Sequence, residues 1–158
     1  MTTPNFANRN KFKFLVHFDD TKSFEFFAKS FTFGGINIGT LSVPTPIRPM
    51  EYPGDSYSAE DCIIDFYLSE NWESYIEMFQ WLKRIKNGKT AIQNSLLFAN
   101  MSLIILNTKY RDSFTISMID CFPYSLTTIN MDTDDTGTEP LMAQVLFKVN
   151  DYDIIAKN

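Results

Sequence analysis

Apolar residues along this chain recur mostly with the period of a β-strand. From Lys11 to Phe18, Phe12, Phe14, Val16 and Phe18 fall on one side and Lys11, Lys13 and His17 on the other, with Leu15 the exception. That alternation predicts a half-buried strand. Asp19, Asp20, Thr21 and Lys22 supply turn chemistry before a second aromatic run from Phe24 to Phe33, so the first two strands are expected to pair as a hairpin. Gly34 and Gly35 break the run, and Ile36 to Val43 reads as a third extended segment. Residues 44–58 then contain four prolines, Pro44, Pro46, Pro49 and Pro53. Proline removes backbone donors and excludes helix, so this stretch is expected to be a projecting loop or arm. Its Ile47, Met50, Tyr52 and Tyr57 are too apolar for a plain solvated linker, and they mark it as a segment that meets a partner surface.

Asp61 to Leu68 alternates again, with Cys62, Ile64, Phe66 and Leu68 opposite Ile63, Asp65 and Tyr67. The period then changes. After Trp72, the positions Tyr75, Ile76, Phe79, Leu82 and Ile85 follow helical spacing, with Ser69 or Asn71 as candidate N-cap and Gly88 placed as terminator. Glu70, Glu73 and Glu77 come early and Lys83, Arg84 and Lys86 late, which complements the helix dipole. Lys89 to Asn100 has no clear period and reads as a loop with room for a short helical turn. Met101 to Leu106 and Ser113 to Cys121 flank a polar stretch and predict another hairpin, which Pro123 is expected to end. Ser125 to Met131 extends again, an acidic loop follows, and Leu141 to Ile155 reads as one closing strand. The whole predicts a mainly β fold, an antiparallel barrel or sandwich with one flanking α-helix and a long extended arm, and 158 residues suit a single domain.

Composition narrows the classes. Aromatic residues make up 15 %, including fifteen Phe, and charged residues 21 %, so the chain is expected to fold. A net charge of −5 argues against tight binding to a phosphate backbone, which needs Lys and Arg. Cys62 and Cys121 lack a CxxC spacing and read as buried free thiols. No run reaches the length of a membrane helix, and the first ten residues lack a signal peptide's apolar stretch, so a chain made and used outside the secretory route is expected.

Catalytic chemistry finds little to work with. His17 is the sole histidine, mid-strand on the polar side, and any Ser-His-Asp or Cys-His site would have to be built on it. Asp132, Asp134 and Gly137 resemble the start of a calcium loop, but Thr136 replaces one ligand and Ala143 stands where the closing Glu belongs. Gly34, Gly35 and Gly39 lack the Lys-Ser/Thr of a phosphate-binding loop. Trp72 and Trp81 read with Tyr75 and Phe79 as a packing stripe. No enzyme, cofactor or metal is expected.

Five motifs in order resemble the tail tube proteins of contractile-tailed bacteriophages, and those of related contractile injection systems. They are Pro53-Gly54-Asp55 after the proline-rich arm, Phe66-Tyr67-Leu68-Ser69-Glu70 leading to a helix with Trp81-Leu82, Leu103-Ile104-Ile105-Leu106, the aromatic-proline corner in Asp120-Cys121-Phe122-Pro123-Tyr124-Ser125-Leu126, and the closing strand after Asp132. The resemblance spans about Lys11 to Ile155. It implies hexameric rings stacked into a hollow tube, sheath and baseplate partners, a place in the virion tail with assembly in the host cytoplasm, and DNA passing through the lumen without specific binding. It also implies that the arm contacts the next ring, through Ile47, Arg48, Met50, Tyr52 and Tyr57. Asp65, on the less apolar face of its strand, is a candidate lumen-wall residue, while Phe122, Pro123 and Leu126 are expected to set the corner that orients the last strands. The tip Ile47-Arg48-Pro49-Met50 is bulkier than the glycine-rich tip of many members, and the cysteines are unusual. Those departures leave open a baseplate tube initiator or an injection-system tube protein. From another class, a small ligand-binding β-barrel or enzyme also stays open.

Overall fold

A computed structural model describes residues 13–18 by their backbone, and residues 28–88, 98–107, 109, 111–129, 131–132, 137 and 139–156 in full. The elements are β1 (Lys13–Phe18), β2 (Ala28–Thr32), β3 (Ile36–Val43), β4 (Met50–Ala59), β5 (Cys62–Tyr67), α1 (Glu73–Asn87), β6 (Ala99–Leu106), β7 (Asp112–Leu126), β8 (Met142–Lys148) and β9 (Asp151–Ala156). Seven strands form one curled antiparallel sheet in the order β1-β6-β7-β8-β5-β2, with β9 also paired to β7. β3 and β4 form a separate two-stranded hairpin. The expected mainly β architecture with one helix and an arm is therefore the observed one.

The sheet curls because β7 is long and changes partners along its length. Its first half pairs with β6 and β9, its second with β8. The inward alternation Ile116, Met118 is interrupted by exposed Ile119 and Asp120 before resuming at buried Cys121 and Pro123. Val145 and Phe147 of β8 and Val149 just after it are buried, and Asn150 and Asp151 at the same corner are exposed. An extra residue in β7, opposite the Ala99–Met101 step of β6, and the break between β8 and β9 keep the apolar side facing inward while the ribbon bends. Asp120 makes the bend with φ 53, and its N–H donates to Asn100 Oδ1 at 3.2 Å. Asp tolerates this left-handed region better than most residues.

Inside the curl lies one core. Cys62, Ile64 and Phe66 of β5, Met101 and Leu103 of β6, Ile116 and Met118 of β7, and Ala143, Val145 and Phe147 of β8 are all buried. α1 contributes Met78 and Trp81, the Trp81 ring lying 5.9 Å from that of Phe147. Burying a side chain of this size contributes about 1.5–3 kcal/mol, so this helix is held mainly by its packing.

Several expectations need correcting. β1 and β2 do not pair with each other: β1 runs against β6 and β2 against β5, an arrangement that local turn chemistry cannot reveal. Residues 50–58 of the expected loop lie in β4, because a two-stranded hairpin tolerates proline: Pro53 sits beside a bulge opposite Thr40. Pro123 does not end its strand; it is buried within β7, opposite Phe147 and next to a register shift. The closing strand is two, β8 and β9, broken at the corner. On α1 the buried positions are Ser74, Met78 and Trp81, whereas Ile76 and Phe79 are each 45 % exposed. Neither Ser69 nor Asn71 caps the helix: Trp72 occupies the N-cap with φ 57 and no side-chain cap bond.

Candidate assembly surfaces

The β3–β4 hairpin has little cover, most of its residues being exposed. Directly opposed residues of an antiparallel pair share a face. The register therefore sets Leu41 with Tyr52 and Val43 with Met50 on one face, and Thr40 with Pro53 and Ser42 with Glu51 on the other. The arm is thus amphipathic, with apolar side chains exposed at Leu41 (59 %), Met50 (43 %) and Tyr52 (47 %). Nearer the body, Ile36 and Ala59, and Ile38 and Tyr57, form a second set of opposed pairs. Ile47 at the tip is 95 % exposed, and Arg48 beside it is exposed, its N–H and carbonyl both bonded to the Thr45 hydroxyl. A two-stranded hairpin is at best marginally stable alone in water, so this geometry calls for further contacts.

Those contacts begin at the base. Gly34 passes so close to β4's end that a Cβ there would overlap Glu60 Cβ and lie 2.8 Å from the Glu60 carbonyl carbon. The Glu60 N–H donates to the Gly35 carbonyl at 2.9 Å, while its carboxylate accepts from the Gly35 N–H (3.2 Å) and the Asn37 amide (2.8 Å). These donors hold the Glu60 carboxyl below its ordinary pKa. The Tyr57 hydroxyl donates to Asp151 Oδ1 (2.7 Å), and the Tyr152 hydroxyl to the Glu60 carbonyl (2.8 Å). Beside them Lys148 pairs with Asp61 at 2.6 Å, and Tyr124 donates to the same carboxylate at 2.7 Å. Lys148, then Tyr124, hold the Asp61 pKa down, and the hydrogen bond to Asp61 holds the Lys148 pKa up.

Two other surfaces are open. Among the described residues β1, β2 and β9 each pair along one edge, leaving backbone donors and acceptors on the other. β9 also exposes Ile154 (62 %) and Ile155 (50 %) on opposite faces. Its shared face with Ile116 follows from the Ile116–Ile154 register, so Ile154 lies on the core side at an uncovered margin.

Asp65 lies on the face of β5 away from the core, half-buried. Ser30 Oγ donates to its Oδ2 and Gln144 Nε2 to its Oδ1 at 2.8 Å, so the carboxylate ties β2, β5 and β8 together. His17 lies in β1, opposite Ser102 in register. Cys62 and Cys121 are buried and unpaired; burial pushes the Cys121 thiol up to about 12 and the Cys62 thiol higher. Among the described residues no three His, Cys, Asp or Glu side chains cluster as a metal site, and Asp134 and Asp135 lie outside the described residues. No described helix is long and apolar enough to cross a membrane.

Sequence reasoning found the arm's apolar residues but missed the base. Tyr57 was singled out for its apolar ring, whereas its hydroxyl makes the contact to Asp151; nothing local to either residue signals a pairing across 94 positions.

No protein-family model matches the chain. No curated protein matches it either. Solved structures do. A chain of the anti-feeding prophage cap, a tube-terminating cap, superposes with TM-score 0.75 at 15 % identity, covering 99 % of this chain and 95 % of that one. A chain of the sheath/tube terminator of the extracellular contractile injection system PVC gives 0.73 at 14 % identity, covering 99 % and 100 %. A chain of the PVC sheath–tube complex gives 0.69 at 17 % identity, covering 92 % and 89 %. At these identities the likeness defines the fold, which is that found in tube and terminator assemblies of contractile injection systems.

Proposed function

We propose that this protein is a structural subunit of the tube of a contractile machine, a single domain that assembles with copies of itself and works without catalysis. The observation that carries this reading is the near-complete match in fold, end to end in both chains, to the tube-terminating cap. The structure adds a physical reason: an amphipathic arm and open strand edges are liabilities in a monomer and assets in a repeating assembly. In the proposed assembly six copies close a ring, rings stack, and sheath and baseplate proteins dock outside and below. The arm residues Ile47, Arg48, Met50, Tyr52 and Tyr57 meet the next ring, and Asp65 is proposed to face the lumen. A phage tail tube conducting DNA fits the net charge of −5, because a negative wall offers phosphates no counterion-releasing contacts. Assembly in the host cytoplasm and a final place in the tail follow from that role.

Negative-stain images of the purified protein over a range of concentrations test the proposal. Rings or hollow rods are expected at high concentration; a species that stays monomeric at every concentration, with or without a baseplate nucleus, refutes it. The same images address the specialised end-of-tube role, suggested by the fold's occurrence in structures of the cap, the terminator and the baseplate. A repeated subunit extends into rods of many rings, and an end subunit stops at one.

A further inference from the structure

We propose that Tyr57 and Tyr152 form a clasp that sets the angle between the arm and the body and ties that angle to β9. The proposal rests on the reading of the arm as a contact between copies, and it concerns how that contact is aimed.

The arm joins the body at two chain crossings, Gly34-Gly35 on one side and Glu60-Asp61 on the other. The Glu60 carboxylate and backbone stitch these crossings to each other. Two adjacent crossings define a line, and a hairpin fixed only along a line is free to swing about it. A strut placed off the line stops the swing. Tyr57 is three residues out along β4, roughly 10 Å at the rise of a strand. Its hydroxyl reaches Asp151 Oδ1 at 2.7 Å. Tyr152 supplies the second point: its hydroxyl holds the Glu60 carbonyl at 2.8 Å and its ring lies 6.3 Å from that of Phe33, just before the crossing. Asp151 also accepts from the Tyr152 N–H at 2.8 Å, which fixes the carboxylate that receives Tyr57.

Asp151 and Tyr152 are the first two residues of β9, which among the described residues has one open edge and exposes Ile154 and Ile155. A neighbour that settles β9 thereby also settles the direction of the arm. Side-by-side contact and stacking contact are then coupled through four named groups.

The test measures the arm's direction in the full chain, below the concentration of assembly. Spin labels on Ile47→Cys and Lys86→Cys, both exposed positions, report the spread of tip-to-helix distances by pulsed electron paramagnetic resonance. The native Cys62 and Cys121 are buried and stay unlabelled in the folded chain. Tyr57→Phe with Tyr152→Phe removes both hydroxyls and keeps the rings, and Asp151→Ala removes one acceptor. Both are expected to broaden the distance distribution at unchanged Tm, while Asp151→Asn, which keeps an acceptor oxygen, leaves it narrow. An unchanged distribution in the double tyrosine variant and in Asp151→Ala overturns the clasp. Tube length of the same variants separately decides whether the arm joins copies: a broadened arm with normal tubes supports the clasp and refutes the arm as the stacking contact.

Discussion

Placing two carboxylates on the apolar face of the arm, by Met50→Asp with Tyr52→Asp, separates assembly from folding. Both positions are about half exposed in the isolated chain, at 43 % and 47 %. Full burial of such a side chain is worth about 1.5–3 kcal/mol, so covering the remaining half of each contributes about 1.5–3 kcal/mol for the pair. The substitution removes that gain and adds the cost of desolvating two carboxylates. At 1.4 kcal/mol per tenfold, each arm contact weakens by roughly ten- to a hundredfold from the lost burial alone. Because the arm projects from the core, far-ultraviolet circular dichroism and Tm should stay close to those of the parent. The assay is the critical concentration for assembly, read by light scattering and sedimentation, with tube lengths from negative stain. Ser42→Asp, on the hairpin's opposite face, controls for added charge and is expected to change little. Equal critical concentrations and equal tube lengths for parent and double variant refute the assignment of this face as a contact.

Other outcomes concern the body. Trp81→Ala empties a core site 5 % exposed beside Phe147, so it should lower unfolding stability by about 3–5 kcal/mol, seen in the denaturant midpoint. Asp120 holds a left-handed backbone, so Asp120→Val should cost at least about 1–2 kcal/mol while Asp120→Gly costs little or stabilises; equal losses for the two count against the corner as the source of strain. The buried thiols should resist Ellman's reagent at pH 8 until denaturant is added, and rapid modification of the folded chain contradicts their burial. Their pKa values are raised in the folded state, so their contribution to stability is complete below the ordinary value near 9 and falls as pH rises toward 12 and beyond. Equilibrium unfolding of Cys62→Ser with Cys121→Ser should show a shallower alkaline decline than the parent, once the stability difference at pH 7 is subtracted.

Much of the fold was legible because each strand carries its own burial pattern. The inward residues Cys62, Ile64 and Phe66 could be read directly from alternation along one segment. Helix existence was equally local, since its period differs from that of every neighbour. Which helical face is buried was not: Ile76 and Phe79 are as apolar as Met78 and Trp81, and only the position of Phe147 and the rest of the curled sheet selects the second pair. The arm's apolar composition was legible, but proline counting hid that much of it is β4, because a two-stranded hairpin accommodates Pro53 beside a bulge, where the ladder is already interrupted.

By itself the amino-acid sequence determined most of the strand segments, the helix, the apolar arm, the acidic character and the single histidine, since each depends on residue type and short spacing. Tertiary structure alone decided the partners. β1 finds β6, β2 finds β5, and one bend at Asp120 and Asn150 turns β7 and the last two strands around a shared core. Tyr57 meets Asp151 for the same reason. Pairing across long separations depends on which closure buries the most apolar surface and satisfies the most backbone groups together, and that balance belongs to the whole chain.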